Sequence, residues 1–211
     1  MSGGEIAVKD LVKVDTPIGG GSLGGGTDQI WRWNTETASW TKYFWYSSRG
    51  TTLWAKQGTK VETTDTIPAG ETFFFLRSAG ATAPTSLTLA GAVKQLDGSV
   101  SSSATANQLL FMANPWPTSI AIKDFSSFYT EGSPIGGGSL GGGTDQIWRW
   151  NRETSTWTKY FYYSSRGTTL WAQQGQKVAT EDTIPGGEGF FFQRSAGAAG
   201  SMTLTITAPA K

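Results

Sequence analysis

The chain contains one stretch of sequence twice, and this duplication limits the folds open to it more than any other feature. Residues 17–90 and 134–207 align without a gap, and 56 of the 74 aligned positions are identical. The run PIGGGSLGGGTDQIWRW at Pro17–Trp33 recurs unchanged at Pro134–Trp150. A chain of 211 residues is long enough for two domains that each bury a core. We therefore predict a first domain at residues 1–90, a connecting segment at 91–133 and a second domain at 134–211.

Composition excludes several classes of function. The 17 Lys and Arg and 16 Asp and Glu give a net charge of +1 and form no basic stripe, so we expect no nucleic-acid partner. The absence of Cys and His removes thiol and imidazole nucleophiles, the commonest general base and the usual ligands of zinc, copper and haem. No run approaches the roughly 18 apolar residues that cross a bilayer, so we predict no membrane span.

The remaining candidates for chemistry are carboxylates near turns. Asp65 with Glu71, and Asp182 with Glu188, form pairs, but no nucleophile or positioned second base accompanies them. Asp28, Asp65 and Asp97 offer oxygen ligands for calcium, but they lack the regular spacing of a calcium loop. We therefore predict that the protein is not an enzyme and has no cofactor or metal site.

The pattern of apolar residues predicts an all-β protein. Short aromatic or β-branched runs bounded by turn residues recur along the chain, which is typical of antiparallel β-sandwiches. The fold class predicted is thus two tandem antiparallel β-sandwich domains from an internal duplication. The predicted strands are Gln29–Asn34, Trp40–Tyr46, Thr51–Ala55, Glu71–Arg77 and Ser86–Ala90 in the first copy, and Gln146–Asn151, Trp157–Tyr163, Thr168–Ala172, Gly189–Arg194 and Met202–Thr207 in the second.

One predicted strand occurs only once, between the two copies. It is followed by the rigid break Asn114-Pro115-Trp116-Pro117. Because two near-identical sandwiches would each require this strand, we expect one domain to be a strand short and to present an open sheet edge. We predict that a neighbouring subunit fills the edge and builds a head-to-tail homopolymer. The alternative is that the first domain is a smaller sandwich. The residues of this predicted contact are Gln108, Leu109, Leu110, Phe111 and Met112.

Aromatic residues occupy successive positions of several predicted strands. Because successive side chains in a strand point to opposite faces, the runs Tyr43–Tyr46 and Tyr160–Tyr163 cover both faces with rings. One face can fill a core, and the other must lie against a second layer, the sister domain or another subunit. We therefore add Tyr43, Trp45, Tyr160 and Tyr162 to the predicted subunit interface, with intramolecular packing as the alternative.

The Trp-Arg-Trp triplets suggest a different function. Indole rings stack on sugars and cations, so Trp31, Trp33, Trp148 and Trp150 are candidates for stacking on a ligand such as a glycan. A Trp pair on one strand face is also typical of a core. The Gly19–Gly26 run lacks the Gly-Lys-Ser/Thr of a phosphate loop, and we interpret it as an ordered, packed loop.

The repeat resembles a module of large secreted or surface proteins of Verrucomicrobia and related bacteria, which has the patterns GDQI-x-VWN and IPPGQGFFV. The similar stretches are Thr27–Asn34, Tyr43–Tyr46 with Trp54, and Ile67–Phe74, with Ile184–Phe191 closer still. The resemblance departs at Trp31 and Trp33. It implies an all-β exported protein without established catalysis and transfers no functional residues.

These observations predict a structural protein that self-assembles into an extracellular filament or surface layer through strand complementation and aromatic packing. The alternative is a tandem carbohydrate-binding protein of the cell surface, and a third interpretation is a virion or tail structural protein. The first residues lack the apolar core of a signal peptide, so we expect a leader to be absent from this sequence.

Overall fold

The protein is all-β, and its described residues form antiparallel strands and two short 3-10 helices. A computed structural model describes residues 5–11, 26–68, 71–78, 98–129, 135–139 and 143–207. The chain divides into two compact units, Met1–Val93 and Lys94–Lys211. Most of the segment predicted as a connection is therefore grouped with the second unit.

The first unit is organised around a four-stranded sheet in the order β4-β3-β2-β6, while β1 pairs with β5. Its described elements are β1 (Ile6–Ala7), a 3-10 helix (Val8–Asp10), β2 (Gln29–Asn34), β3 (Ser39–Ser48), β4 (Thr51–Lys56), β5 (Thr66–Ile67) and β6 (Phe73–Leu76).

The second unit has a five-stranded sheet in the order β12-β11-β10-β14-β8, a β7–β15 ribbon and a short β9–β13 pair. Its described elements are β7 (Ser99–Ala104), β8 (Leu109–Ala113), β9 (Ile120–Ala121), a 3-10 helix (Ile122–Phe128), β10 (Gln146–Asn151), β11 (Thr156–Ser165), β12 (Thr168–Gln173), β13 (Thr183–Ile184), β14 (Gly189–Gln193) and β15 (Met202–Thr207).

Tight turns with positive φ fix the register of the main hairpins. The loop between β3 and β4 is Arg49-Gly50, with φ of 51° and 79°. Two successive residues with positive φ are typical of a type I′ turn, whose twist matches that of the flanking strands. The second unit repeats this turn at Arg166-Gly167, with φ of 51° and 81°.

Each core lies on one face of the main sheet. In the first unit, Ile30, Tyr43 and Trp54 of the sheet pack with Val8 and Leu11 at the 3-10 helix. In the second unit, the sheet face packs against the ribbon and the 3-10 helix. Its buried members are Ala104, Leu110, Met112, Trp116, Ile122, Phe125, Ile147, Tyr160, Trp171, Ile184, Phe190, Phe192, Met202, Leu204 and Ile206.

Candidate functional site: the edge strand of the first unit

Strand β6 ends the main sheet of the first unit. It pairs with β2 on one side, with Trp31 opposite Phe74 and Arg32 opposite Phe73. Within the described ranges, no strand pairs with its other side. The strand at the same place in the second unit, β14, pairs with β10 on one side and β8 on the other. The two units therefore differ at this edge.

The β8–β14 ladder of the second unit shows which backbone groups of β6 point away from β2. There, the Arg194 N–H donates to the Gln108 carbonyl at 2.9 Å, and the Asn114 N–H donates to the Glu188 carbonyl at 3.0 Å. In an antiparallel ladder every second residue is hydrogen-bonded to the partner strand. Between Glu188 and Arg194, the residues whose N–H and C=O groups face β8 are therefore Phe190 and Phe192. Their counterparts in β6 are Phe73 and Phe75, whose N–H and C=O groups point away from β2.

The burial of the aromatic strand also differs between the two units. Phe190, Phe191 and Phe192 are all buried in the second unit, and Phe191 stacks on Phe111 of β8 with ring centroids 4.4 Å apart. In the first unit, the equivalent Phe73–Phe75 run is only partly buried, and Leu76 is 46% exposed. The β6 strand thus combines outward-pointing backbone groups with apolar side chains that are less buried than those of β14.

The predicted interface strand Gln108–Met112 lies inside the second unit. Leu110 and Met112 belong to its core, and Leu109–Ala113 pairs with β14 of the same chain. The single predicted strand therefore belongs to the second unit, and the described residues of the first unit contain no equivalent of it. That the same segment also contacts a neighbouring subunit stays a prediction.

The Asn114–Pro117 segment, which follows β8, also packs into the second unit. Trp116 is 1% exposed within the core, and the Asn114 side-chain amide donates to the carbonyls of Thr118 and Ile184 at 2.7 and 3.0 Å. A Cβ atom on Gly186 would lie 2.5 Å from the Trp116 carbonyl oxygen, so this backbone approach requires glycine. The aligned residue in the first copy is Ala69. The difference between Gly186 and Ala69 was available in the sequence as a sign that only the second unit holds this segment.

The predicted interface aromatics of β3 and β11 face the cores. Tyr43 and Tyr160 are each 1% exposed, so the contact surface predicted for them is not present on the outside of the sheets. Trp45 and Tyr162 are partly buried and pack against the same cores. This burial fits the alternative of intramolecular packing, which alternation could not select because the neighbouring residues in each run are also aromatic.

A polar network repeated in both units explains why a tyrosine lies at this inner position. In the first unit, the Tyr43 hydroxyl donates to Asp65 at 2.6 Å, and Arg32 pairs with Glu71 through two hydrogen bonds of 2.6 and 2.7 Å. Burial and the hydrogen bond to Asp65 raise the pKa of Tyr43 to about 12. The same hydrogen bond lowers the pKa of Asp65.

The second unit has the corresponding contacts. Arg149 donates to Glu188 at 2.7 and 3.1 Å, and the Tyr160 hydroxyl donates to Asp182 at 2.7 Å. Burial also raises the pKa of Tyr160. These residues line a cleft of about 470 Å³ together with Arg152. The carboxylates that were candidates for acid–base catalysis are thus hydrogen-bonded to Arg and Tyr side chains. We interpret the network as a structural contact in each unit.

The raised pKa predicts how stability depends on alkaline pH. An unfolded tyrosine loses its proton near pH 10, whereas folded Tyr43 keeps it until about pH 12. The contribution to stability is therefore complete below pH 10 and is lost as the pH rises towards 12. We expect the urea midpoint of the first unit to fall over this range, and to fall less in Tyr43→Phe. An equal fall in both proteins would contradict the assignment.

Another pair of residues, Asp28 and Asp145, anchors the loop that precedes β2 and β10. Asp145 is fully buried and accepts hydrogen bonds from Arg194 at 2.7 Å and from the Ser195 N–H at 2.7 Å. Asp28 is also fully buried, and it pairs with Arg77. Both carboxylates are thus structural. No group of three or more acidic residues suited to a metal ion occurs within the described ranges, and Asp97 lies outside them.

The described part of the second glycine run is packed against the sheet. The Asp145 N–H donates to the Gly136 carbonyl at 2.7 Å, and the Ser164 N–H donates to the Gly138 carbonyl at 3.1 Å. A Cβ atom on Gly136 would collide with the Ser195 side chain. Close approach therefore accounts for glycine here, without a phosphate ligand.

The candidate stacking residues form an aromatic cluster on the outer sheet face of each unit. Trp33 packs edge-to-face on Trp40 with centroids 5.2 Å apart, and the Lys42 ammonium lies 3.9 Å above the Trp31 ring. In the second unit, Trp150 packs on Trp157 at 5.1 Å in the same way. Lys159 lies 3.8 Å above Trp148. All four candidate Trp residues are partly exposed, but tilted, lysine-covered rings do not form a flat platform.

Comparison with models of protein families, with curated proteins and with solved structures found no match to this chain. None of the helices in the described parts of the chain has the length and apolar character needed to cross a membrane. We therefore infer the function from the geometry of each unit.

Proposed function

We propose that this chain is a structural protein that self-assembles by adding a strand to the β6 edge of its first unit. The observation that carries the proposal is that, within the described ranges, β6 pairs on one side only, whereas its counterpart β14 pairs on both sides. An edge with outward-pointing backbone groups and an exposed leucine is a template for pairing with another chain. Phe73–Leu76 contains no charged residue and no proline, two features with which natural monomers protect such edges.

The duplication fits this function. We infer that the two units are copies of one β-sandwich module, because β2-β3-β4-β6 and β10-β11-β12-β14 have the same order and equivalent registers. In one copy the edge is completed by a strand of the same chain. In the other, a strand from a neighbouring molecule forms the equivalent backbone hydrogen bonds and covers the equivalent aromatic residues.

A second contact would extend the assembly beyond a pair. The outer aromatic clusters around Trp40 and Trp157 are candidates, since partly exposed Trp residues are enriched at interfaces. Two different contacts per molecule are enough to build an open filament or layer. The resemblance to exported bacterial modules supports an extracellular or cell-surface location.

Replacing Leu76 by lysine tests the edge. Leu76 is largely exposed, so the substitution should change the stability of the unit by less than about 0.5 kcal/mol while placing a charge on the pairing edge. We expect wild-type protein to sediment as a concentration-dependent assembly and Leu76→Lys to sediment as a smaller species.

The matched control is Gln193→Lys at the equivalent position of β14, whose edge is already paired with Leu109. This variant should assemble like the wild type. A wild-type protein that stays monomeric at every concentration would rule out the proposed function. Unchanged assembly of Leu76→Lys would rule out the β6 edge.

Binding of a glycan is the second candidate function, because partly exposed Trp33 and Trp150 recur at the same place in both units. It predicts that soluble glycans change the tryptophan fluorescence, and that a Trp33→Ala, Trp150→Ala variant loses the change. A flat titration with the folded protein would leave these residues structural.

A further inference from the structure

The aspartate in the cleft of the second unit lacks the lysine that pairs with its counterpart in the first unit. In the first unit, the Lys56 ammonium donates to Asp65 at 3.3 Å. The aligned residues of the second unit are Gln173 and Asp182, which are both exposed and line the cleft of about 470 Å³ described above. Among the residues that the structure describes, no cation pairs with the Asp182 carboxylate. This carboxylate can therefore accept an ammonium group from outside the chain.

The two aspartates have equivalent positions beside their sheets. Lys56 lies opposite Tyr43 in the β3–β4 ladder, and Gln173 lies opposite Tyr160 in the β11–β12 ladder. The hydroxyl of each tyrosine donates to the aspartate of its own unit, at 2.6 Å and 2.7 Å, respectively. The Lys56 ammonium contacts the same carboxylate oxygen that accepts from Tyr43. The first unit thus holds an ammonium at this position with residues equivalent to those of the cleft.

The charges of the cleft also favour a cation. Two arginines and three carboxylates line it: Arg149, Arg152, Glu153, Asp182 and Glu188. Arg149 is paired with Glu188 through two hydrogen bonds, while Arg152 and Glu153 are neighbours of opposite charge in the exposed β10–β11 turn. The negative charge that remains is that of Asp182. Since a charge-assisted hydrogen bond is roughly twice as strong as a neutral one, an ammonium is the group that this carboxylate favours.

Other polar groups of the cleft are suited to hydroxyl groups of a ligand. The Thr158 hydroxyl, the Gln173 side-chain amide and the Asn151 side-chain NH₂ line it, and in the described part of the chain they have no hydrogen-bond partner within the protein. Together they offer both donors and acceptors, and a sugar hydroxyl acts as both. The volume of the cleft lies within the range of small-molecule sites.

We propose that this cleft binds a sugar that carries a free amino group. The sugar ammonium would take the place at Asp182 that Lys56 takes at Asp65, and the sugar hydroxyls would bond to Asn151, Thr158 and Gln173. The proposal rests on glycan binding, the second candidate function above, and it does not depend on self-assembly. It gives that function a sugar class and a place in the second unit.

The cleft is separate from the outer cluster of indole rings. Ile147 belongs to the core, so alternation along β10 places Arg149 on the same inner face and Trp150 on the outer face. The Trp150 ring packs there on Trp157. Binding in the cleft and stacking on the outer rings can therefore be measured independently.

Titration of ¹⁵N-labelled protein with the methyl glycoside of glucosamine tests the proposal, at about pH 6, where an amine is protonated and carboxylates are ionised. We expect saturable shifts of the Tyr160 and Gln173 amides. The N-acetylated glycoside, which has no charge, and n-butylamine, which has no hydroxyl groups, should each bind at least about tenfold more weakly. Such a factor corresponds to the loss of one charge-assisted hydrogen bond or of several neutral ones.

Two exchanges between the units provide matched variants. Gln173→Lys places an internal ammonium beside Asp182, as in the first unit, and should abolish the shifts without disturbing the fold. Lys56→Gln removes the internal ammonium at Asp65 and should add a second site, with new shifts at Tyr43. The lost ion pair is exposed, so this variant should lose at most about 1 kcal/mol of stability.

The outcomes separate this proposal from glycan binding in general. Equal binding of the amino and N-acetylated glycosides, or unchanged binding by Gln173→Lys, would overturn the ammonium site at Asp182 and leave glycan binding standing. A fluorescence response to glycans that is lost in the Trp33→Ala, Trp150→Ala variant, without shifts at Tyr160 and Gln173, would place the glycan on the outer rings and overturn the cleft site. If no sugar gives either response, both are wrong.

Discussion

Replacing Asp145 by alanine is expected to lower the free energy of unfolding of the second unit by about 3–5 kcal/mol. Asp145 and Arg194 are both fully buried and form an ion pair of 2.7 Å. The carboxylate also accepts hydrogen bonds from the Tyr129 hydroxyl and the Gly136 N–H. Without it, the guanidinium of Arg194 stays buried, and within the described ranges its Nε and Nη2 already have no hydrogen-bond acceptor.

The first unit provides the matched control. Asp28 is equally buried, but the side chain of its partner Arg77 is 25% exposed and can turn to water when the carboxylate is removed. Asp28→Ala should therefore cost its unit less than Asp145→Ala costs the other. Hydrogen exchange in increasing urea, followed at β2 and β10, reports the two units separately. Equal losses in the two variants would contradict this account, and Asp145→Ala with Arg194→Met should recover part of the loss.

Replacing Trp116 by alanine is the second substitution with a large expected effect, a loss of about 3–5 kcal/mol in the second unit. Its ring is almost completely buried in the core, and the docked backbone on either side is held by Asn114 and Gly186. The cavity cannot close easily because the flanking prolines restrict the backbone. Exchange at β14 and β8 should accelerate, while exchange in the first unit should not change.

Trp33→Ala is the control for the loss of an indole ring. Trp33 lies partly exposed on the outer face, so its removal should cost its unit clearly less than Trp116→Ala costs the second unit. A loss for Trp116→Ala no larger than that of Trp33→Ala would show that the Asn114–Pro117 break is not part of the core.

Much of the fold could be predicted from local patterns. Gln29–Asn34, Gln146–Asn151 and Met202–Thr207 were observed with their predicted bounds, because polar and apolar residues alternate there and turn residues flank the runs. The strand predicted at Glu71–Arg77 is shorter at both ends in the structure, Phe73–Leu76, and the Glu71 N–H before it donates to the Pro68 carbonyl. The predicted strand Ser86–Ala90 lies outside the described residues.

The candidate site could be predicted only in part. The single copy of Gln108–Met112 predicts that one unit is a strand short, but local patterns could not say which unit holds this strand, because that depends on long-range packing around Trp116 and Gly186. The inner position of Tyr43 was missed for a similar reason: its contact with Asp65 joins residues that are far apart in sequence.

Hydrogen exchange at the Phe73 and Phe75 amides tests the central claim most directly, because these groups point away from β2 and would be hydrogen-bonded by the added strand. We predict fast exchange in dilute protein and strong protection under conditions where sedimentation shows assembly, while the Phe190 and Phe192 amides stay protected in both. Assembly without any change in exchange at Phe73 and Phe75 would contradict the account.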